Sequence, residues 1–336
     1  MDQTTTILAA DIGGTKTLLS LNEIHQFPEY QTIKKQRYES AAYNSFEELV
    51  LEFLRGEKSP SIACIAVAGP VEESCAKVTN LPWTLQSKEL ANTLNLAQLS
   101  LVNDFEAVGL CIPELQETDL ITLQEGQAVE KGVKAVIGAG TGLGHATLVY
   151  TENTYRVLPS EAGHCDFAPG SPIEERLLNF LRQELGHVSW ERVVSGPGLE
   201  NIYRFLLSDL GATSSAEISD ALSKGEGAAA IALAAQNKVD TIAQQSLRLF
   251  LDLYAAQAGN HALNTLCFGG LYLAGGIAPK LIQELQQSQF MEKFSDKGRM
   301  KSLLQRIPVK VIVNPEAGLI GAIVGARKIA QEYGRR

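Results

Sequence analysis

A glycine turn close to the start of the chain carries residue types that suit the binding of phosphate. Gly13 and Gly14 permit the positive φ of a tight turn and leave no side chain in the way of a ligand. Exposed backbone N–H groups and the Thr15 hydroxyl suit phosphate oxygens, and Asp11 suits the metal ion that accompanies a nucleotide. An ordinary β-hairpin also uses such a turn, so the pattern by itself leaves both interpretations open.

Titratable side chains at two other places could do acid–base or binding chemistry. Asp104 follows an apolar stretch and precedes a predicted helix, where it is either a general base at a cleft wall or a helix N-cap. Glu161 and His164 lie three residues apart around Gly163, so that both can reach one ligand. The same pair fits a surface ion pair or half of a metal site, and the local sequence does not decide between these roles.

The elements that must position these residues alternate between strand and helix in the first hundred residues. Apolar residues 7–9 and the alternating stretch 17–21 predict a hairpin around the glycine turn. Ser87 is a candidate helix cap. We predict strands at residues 62–68 and 99–102, and helices at residues 46–54, 87–94 and 105–111, the last ending near Pro113.

The pattern of strand, glycine turn and strand recurs at residues 133–150, around Gly138–Gly144, and indicates a second lobe built like the first. The polar, acidic passage 113–131 is the predicted crossing between the lobes. Further strands are predicted at 269–274 and 309–313, and helices at 173–185, 198–207, 217–222, 227–263 and 317–332.

Composition excludes several classes of protein. A chain of 336 residues fits two lobes, and its net charge of −9 argues against a nucleic-acid partner. The five cysteines show no C-x-x-C spacing, which argues against a disulfide framework or a zinc ribbon. Because we find no signal peptide and no apolar run that could span a membrane, we expect a cytoplasmic protein without membrane contacts.

Two common nucleotide-binding motifs fail at the second glycine turn. In G-x-G-x-x-G the last position would be Leu143 counted from Gly138, or His145 counted from Gly140. The turn also leads into a strand, whereas a dinucleotide site needs a helix there. No G-x-x-x-x-G-K-[ST] occurs either, so the chain is not a P-loop protein.

Taken in order, eight blocks of the sequence resemble the bacterial-type glucokinases, within the superfamily of sugar kinases, actin and heat-shock-chaperone ATPases. The blocks are AADIGGTKTLLSL (9–21), VAGPV (67–71), TNLPW (79–83), LVNDFEAVGL (101–110), GAGTGLGHATLV (138–149), LPSEAGHCDFAP (158–169), ERVVSGPGLENIYRFL (191–206) and LAGGIAPK (273–280). The resemblance implies an α/β protein with a two-lobed actin-like (ribonuclease H-like) ATPase fold. Each lobe would be a mixed sheet flanked by helices, with ligands in the interlobe cleft. The small lobe would comprise residues 1–112 and about 317–336, and the large lobe residues 113–316.

The same resemblance implies transfer of the γ-phosphate of ATP to the 6-hydroxyl of D-glucose, which gives glucose 6-phosphate and ADP. Asp104 would be the general base. The residues that would bind the sugar are Asn103, Asp104, Glu161, His164, Glu191 and Asn80. A related family of sugar kinases and repressors follows a similar Glu-x-x-Gly-His stretch with a cysteine-rich zinc loop. Here Cys165 stands alone, so we expect no zinc and interpret Cys165 as a small buried residue.

For the nucleotide, the resemblance implies that two glycine turns clamp the phosphates. These residues are Ala10, Asp11, Ile12, Gly13, Gly14 and Thr15 in the first turn, and Gly140, Thr141 and Gly142 in the second. Ser195, Gly196, Gly275 and Gly276 would lie near the adenosine. Magnesium would bind mainly to ATP oxygens and water, with Asp11 reaching it through water. Lys16 is either a phosphate ligand or a solvated strand residue.

Other functions remain open on the sequence. The chain could phosphorylate mannose or an amino sugar, use a donor such as polyphosphate, or act as a non-catalytic sugar sensor of the same superfamily. A sensor that represses transcription carries a DNA-binding head, for which the residues before the first hairpin leave no room. We expect a homodimer, the common assembly of soluble enzymes.

Overall fold

The first glycine turn joins the two antiparallel strands of a hairpin in the computed structural model, which describes residues 4–78 and 81–334. The described chain divides into two compact units. The first comprises the residues up to Gln116, Asn153–Pro159 and the residues from Asn314 on, and the second comprises Glu117–Glu152 and Ser160–Val313. These boundaries differ by a few residues from the divisions expected at 112/113 and 316/317. Residues 153–159, expected in the large lobe, belong to the first unit.

Strands and helices alternate through both units. The strands are β1 (Thr5–Ile12), β2 (Lys16–Gln26), β3 (Glu29–Glu39), β4 (Ile62–Val67), β5 (Val71–Glu72), β6 (Cys75–Lys77), β7 (Thr84–Gln86), β8 (Gln98–Asn103), β9 (Leu120–Gln124), β10 (Lys134–Ala139), β11 (Leu143–Thr151), β12 (Thr154–Ser160), β13 (Gly270–Ala274) and β14 (Val309–Ile312). The helices are α1 (Phe46–Phe53), α2 (Ser87–Thr93), α3 (Asp104–Cys111), α4 (Pro172–Leu185), α5 (Gly196–Leu210), α6 (Ala216–Ser223), α7 (Gly227–Gln236), α8 (Thr241–Thr265), α9 (Ile282–Gln287), α10 (Phe290–Ser295), α11 (Lys301–Leu304) and α12 (Ala317–Tyr333). Within the described residues, no helix is both long and apolar enough to cross a membrane.

The sheet of the first unit has the strand order β3-β2-β1-β4-β8. Strands β1, β4 and β8 run parallel, and the side chains of β1 and β4 are largely buried, as expected of parallel strands covered on both faces, whereas in the edge strand β8 only Leu101 and Val102 are buried. In the register, Ile12 lies beside Val67, and Val67 lies beside Asn103. The carboxyl ends of β1, β4 and β8 therefore lie side by side at the same end of this sheet.

Helix α12 covers one face of this sheet through glycine residues. Gly321 lies so close to α3 that a Cβ at this position would overlap the carbonyl oxygen of Ala107. Gly325 lies against the thiol of Cys64 on β4. Burial raises the pKa of that thiol to about 12, so Cys64 packs as a small neutral group. The glycines thus hold α12 directly against the strands that end at the site.

In the second unit the strands β11-β10-β13-β14-β9 lie side by side in this order. Strands β10, β13 and β14 are parallel, and β11 and β9 are antiparallel to their neighbours. Helix α8 is central to the core, where Phe250, Leu253 and Tyr254 are fully or almost fully buried. The Tyr254 hydroxyl donates to the carbonyl oxygen of Ile137 at 3.3 Å, which ties α8 to β10.

Both predicted hairpins and most predicted helices are confirmed, but the structure corrects two long stretches. The chain does pass from the first unit to the second within the passage 113–131, between Gln116 and Glu117, but the passage also contains β9, which we did not predict and which pairs with β14 at the edge of the sheet. The helical run predicted for 227–263 is divided into α7 and α8. Helix α8 begins directly after Asp240, whose side chain caps it by accepting a hydrogen bond from the N–H of Ala243 at 2.8 Å.

Ser87 is not the cap that we predicted for α2. It is the first residue of the helix, Gln86 precedes it, and no side chain caps this end. Strand β12 was not predicted at all. Its residues alternate between exposed and half-buried, which gives a weak apolar signal.

Two buried histidines of the second unit predict how its stability depends on pH. The rings of His145 and His261 lie edge to face at 4.8 Å. Burial, and secondarily His261, lowers the pKa of His145 to about 3, and burial also lowers the pKa of His261. Since the unfolded chain takes up these protons first, the free energy of unfolding should fall as the pH drops below about 6.5, by up to about 1.4 kcal/mol per pH unit for each histidine.

Urea unfolding between pH 6.5 and 5 measures this slope. The variant His145→Gln should show a shallower slope than the parent chain over that range. An exposed control, His25→Gln, should leave the slope unchanged. Equal slopes in all three proteins would contradict the prediction.

Candidate functional site

The first group of candidate residues lies at the sheet edge where β1 and β8 end. The turn after β1 is closed by a hydrogen bond from the N–H of Gly13 to the carbonyl oxygen of Lys16 at 2.9 Å. The carbonyl oxygen of Thr15 accepts from the N–H of Ser40, also at 2.9 Å. The side chain of Lys16 is half-exposed and lies 3.8 Å from Glu39, the position of a solvated strand residue.

Asn103, rather than Asp104, caps helix α3. Its amide oxygen accepts from the N–H of Phe105 at 2.8 Å, and its amide nitrogen donates to the carbonyl oxygen of Gly69 at 2.9 Å. The interpretation of Asp104 as the N-cap is therefore wrong. Asp104 occupies the first turn of α3, where its carboxylate also contacts the N–H of Phe105 at 3.0 Å. At this end of the helix the backbone N–H groups favour the ionised carboxylate.

Asp11 sits in a poorly solvated position at the end of β1. Burial raises the pKa of its carboxyl group to about 6. Gly318, in the first turn of α12, packs on this carboxyl group so tightly that a Cβ there would lie 2.5 Å from Oδ2. A carboxylate held out of water is stabilised by a cation, so the position fits the metal that accompanies a nucleotide. No cluster of three or more His, Cys, Asp or Glu side chains that could hold a metal by itself occurs in residues 4–78 and 81–334.

The second group brings Glu191 together with Glu161 and His164, which lie 30 and 27 residues earlier in the sequence. His164 Nε2 lies 3.8 Å from Glu161 Oε2, and His164 Nδ1 lies 4.0 Å from Glu191 Oε1. Glu161 directly precedes the 3₁₀ turn Ala162–His164, His164 is its last residue, and Glu191 belongs to a second 3₁₀ turn. The structure thus places an imidazole between two carboxylates, with hydrogen-bonding atoms available for several hydroxyl groups.

The second glycine turn is joined to this group by hydrogen bonds. The N–H of Leu143 donates to Glu191 Oε2 at 2.9 Å. At the start of α5, the N–H of Gly196 donates to the carbonyl oxygen of Gly140 at 2.8 Å, and the Ser195 hydroxyl donates to the carbonyl oxygen of Glu191 at 2.7 Å. Ser195 also caps α5 by accepting from the N–H of Gly198 at 3.0 Å. Gly140, Glu191, Ser195 and Gly196 therefore form one connected structure.

A third glycine turn, after β13, completes this part of the second unit. Gly275 has a positive φ of 80°, and a Cβ there would lie 2.5 Å from the carbonyl oxygen of Ala139. Gly276 lies beside Gly140. A Cβ placed on Gly140 would lie 4.0 Å from the backbone nitrogen of Gly276. The bare backbone at these glycines leaves room for a flat or anionic ligand.

Three expectations from the sequence need comment. Cys165 is exposed, so its interpretation as a buried residue is wrong. Asn80 lies outside the described residues. The sequence also did not indicate the role of Gly318 or the contact made by Gly163, whose close approaches to the carboxyl group of Asp11 and to the backbone of Leu143 need glycine. A glycine early in a helix is the only local signal for Gly318.

Two α/β units, each with a strand–glycine turn–strand hairpin, have the arrangement of the actin-like ATPase fold, and the structural neighbours with this fold are sugar kinases. Comparison with known proteins agrees. The glucokinase of Nostoc sp. strain PCC 7120 is 45% identical over 341 residues, covering 97% of this chain and all of the relative. The crystal structure of a glucokinase from an Antarctic psychrotroph superposes with a TM-score of 0.82 at 33% identity, over 97% of this chain and 100% of that one. The family model for glucokinase matches residues 8–329. The chain belongs to the glucokinase family.

A further structural neighbour is described as a ROK family glucokinase from Streptomyces griseus in complex with glucose and AMPPNP. It is 18% identical, with a TM-score of 0.60, and covers 96% of this chain and 99% of its own. At this identity the likeness shows a shared fold.

The contact between Gly318 and Asp11 predicts a stability effect that depends on the pair. Gly318→Ala should lower the free energy of unfolding by about 1–3 kcal/mol, because the new Cβ overlaps the Asp11 carboxyl group. In an Asp11→Ala background the same substitution should cost less than about 0.5 kcal/mol, since the overlapping atoms are gone.

Urea unfolding of the four proteins in this cycle measures the coupling. Gly334→Ala is a matched control near the other end of α12, where a Cβ would make an ordinary contact of 3.4 Å. An equal cost of Gly318→Ala in both backgrounds would show that the contact with Asp11 is not the cause.

Proposed function

We propose that this chain transfers the γ-phosphate of ATP to the 6-hydroxyl of D-glucose, giving glucose 6-phosphate and ADP. The observation that carries the proposal is the group formed by Glu161, His164 and Glu191, in which the imidazole lies within 4.0 Å of both carboxylates. Glu191 is distant in sequence from the other two, and their convergence in a member of the glucokinase family supports a site for several hydroxyl groups.

Asp104 is the general base of the proposed reaction. The 6-hydroxyl oxygen attacks the γ-phosphorus, its proton passes to the Asp104 carboxylate, and the bond from phosphorus to the bridging oxygen breaks to release ADP. The position of Asp104 in the first turn of α3 supports the ionised form that a base needs. Its neighbour Asn103 is held by hydrogen bonds with the N–H of Phe105 and the carbonyl oxygen of Gly69. These bonds fix the start of α3, which carries the base.

The other hydroxyl groups of the sugar bind to Asn103, Glu161, His164 and Glu191. One N–H of the Asn103 amide donates to Gly69, and an amide nitrogen has a second N–H for a ligand. Carboxylates accept hydrogen bonds from hydroxyl groups, and a site that leaves such groups unpaired rejects analogues lacking the hydroxyl. We assign Asn80 to the same sugar site on the basis of the resemblance.

The phosphates of ATP bind to the backbone of residues 10–15 and 140–142, and the adenosine lies near Ser195, Gly196, Gly275 and Gly276. Mg²⁺ bound with the nucleotide would neutralise charge on the phosphate oxygens. Asp11 would hold this ion through water, which fits a desolvated carboxyl group and an ion that keeps most of its water. We further propose that the enzyme is cytoplasmic and that it forms a homodimer. Size-exclusion chromatography with light scattering would test the homodimer.

A coupled assay for glucose 6-phosphate tests the role of Asp104. The variant Asp104→Asn is nearly isosteric but cannot take a proton, so kcat should fall by about 10²–10⁴ while glucose still binds. Asp220→Asn, an exposed carboxylate on α6 paired with Lys224, is the matched control and should keep the parent rate.

Full activity in Asp104→Asn would exclude Asp104 as the base. If the parent chain binds glucose without making product, the protein is a sensor rather than an enzyme. Assays with mannose and glucosamine, and with polyphosphate as the donor, measure the specificity for glucose and ATP.

A further inference from the structure

The backbone of Leu143 touches both segments that carry the proposed sugar ligands. Its N–H donates to Glu191 Oε2 at 2.9 Å. Its carbonyl oxygen packs against Gly163, where a Cβ would overlap it, in the 3₁₀ turn that follows Glu161 and ends at His164. Leu143 directly follows the glycine turn whose backbone we assign to the phosphates. The segment 140–143 is therefore also part of the support of the sugar site.

Gly142 is in direct contact with the carboxylate of Glu191. A Cβ at position 142 would lie 2.6 Å from Glu191 Oε2 and 3.5 Å from its Cδ. The backbone of Gly142 does not have a positive φ in the region that favours glycine. The requirement for glycine here is therefore one of space, and the atoms that need the space belong to a proposed sugar ligand.

The backbone of Glu191 has little freedom to move away from position 142. The preceding residue, Trp190, is 4% exposed and packs edge to face on Phe167 with ring centres 5.0 Å apart. The carbonyl oxygen of Glu191 accepts from the Ser195 hydroxyl at 2.7 Å. Because the backbone is held on both sides, a collision at Oε2 must turn the carboxylate itself. That movement would break the hydrogen bond from Leu143 and shift Oε1 relative to His164.

We propose that Gly142 is a positioning residue for the sugar. Because it has no side chain, it leaves the space that the Glu191 carboxylate occupies, and in this way it sets the affinity for glucose. The inference rests on the proposed sugar-binding role of Glu191. It gives the second glycine turn a role beyond phosphate binding. By linkage, a ligand that moves this turn changes the affinity for the sugar, and the sugar changes the affinity of the turn for that ligand to the same extent.

Glucose binding measured by isothermal titration calorimetry in the absence of nucleotide separates the two roles of the turn. Gly142→Ala should raise the Kd for glucose at least about tenfold, since a hydrogen bond to a charged group is lost or displaced. Gly170→Ala is the matched control, because it also faces a glutamate carboxylate but its Cβ would lie 3.6 Å from Glu174 Oε2, an ordinary contact. Its glucose Kd should stay within about twofold of the parent value.

A double variant shows whether Gly142 acts through Glu191. In a Glu191→Ala background, Gly142→Ala should cause no further loss of glucose affinity, because the colliding atoms are absent. If Gly142→Ala alone does not fold, the double variant should fold, and its failure to do so would overturn the inference.

The inference is wrong if Gly142→Ala binds glucose like the parent chain, or if Gly170→Ala weakens binding equally. These results are distinct from failure of the proposed function, in which the parent chain itself would neither bind glucose nor form glucose 6-phosphate.

Discussion

The close approach of a glycine to a neighbouring segment, which leaves no room for a Cβ, is the constraint on which this structure depends. In the first unit it brings α12 against α3 at Gly321 and against Asp11 at Gly318. In the second unit it brings the segments that carry Glu161 and Glu191 against residues 142 and 143, through Gly163 and Gly142. Ordinary side-chain packing spaces elements farther apart. The close approach is what allows short turns from distant parts of the sequence to share one site.

The two carboxyl groups of the first unit show how this packing sets different chemistry at one sheet edge. Asp11 is covered by Gly318 and loses solvent, and its pKa rises to about 6. Asp104 lies at the start of a helix, where backbone N–H groups favour the charge. The first arrangement favours a bound cation, and the second favours a base. Both residues stand at the ends of parallel strands. Their chemistry differs because the first turn of α12 packs on Asp11, whereas Asp104 itself begins α3.

Much of the fold could be predicted from periodicity, whereas contacts between distant segments could not. The hairpins around Gly13 and Gly140 and the buried strand β4 have strong local patterns, and the structure agrees with them. Strand β9 was missed because an edge strand in a polar stretch buries only part of each side chain. The break between α7 and α8 depends on the cap at Asp240, a single residue inside an apolar periodic run.

For the site, local sequence could identify residue types but not their partners. Asn103 and Asp104 are both good helix caps, and which of them caps α3 depends on the distant carbonyl group of Gly69. Glu191 has no local signal, because its contact with Leu143 spans 48 positions of the chain. Only resemblance to a family singled it out. Whether Cys165 is exposed depends in the same way on tertiary packing.

The glycine contacts also limit how this sequence can vary in evolution, and they do so in two ways. At position 142 the obstacle is the end of a side chain, so a larger residue becomes acceptable once Glu191 has changed. At positions 163 and 321 the obstacle is a carbonyl oxygen, which every residue type carries. No second substitution removes that obstacle. Variation at 142 is therefore conditional on the residue at 191, whereas glycine at 163 and 321 is required whatever residues surround it.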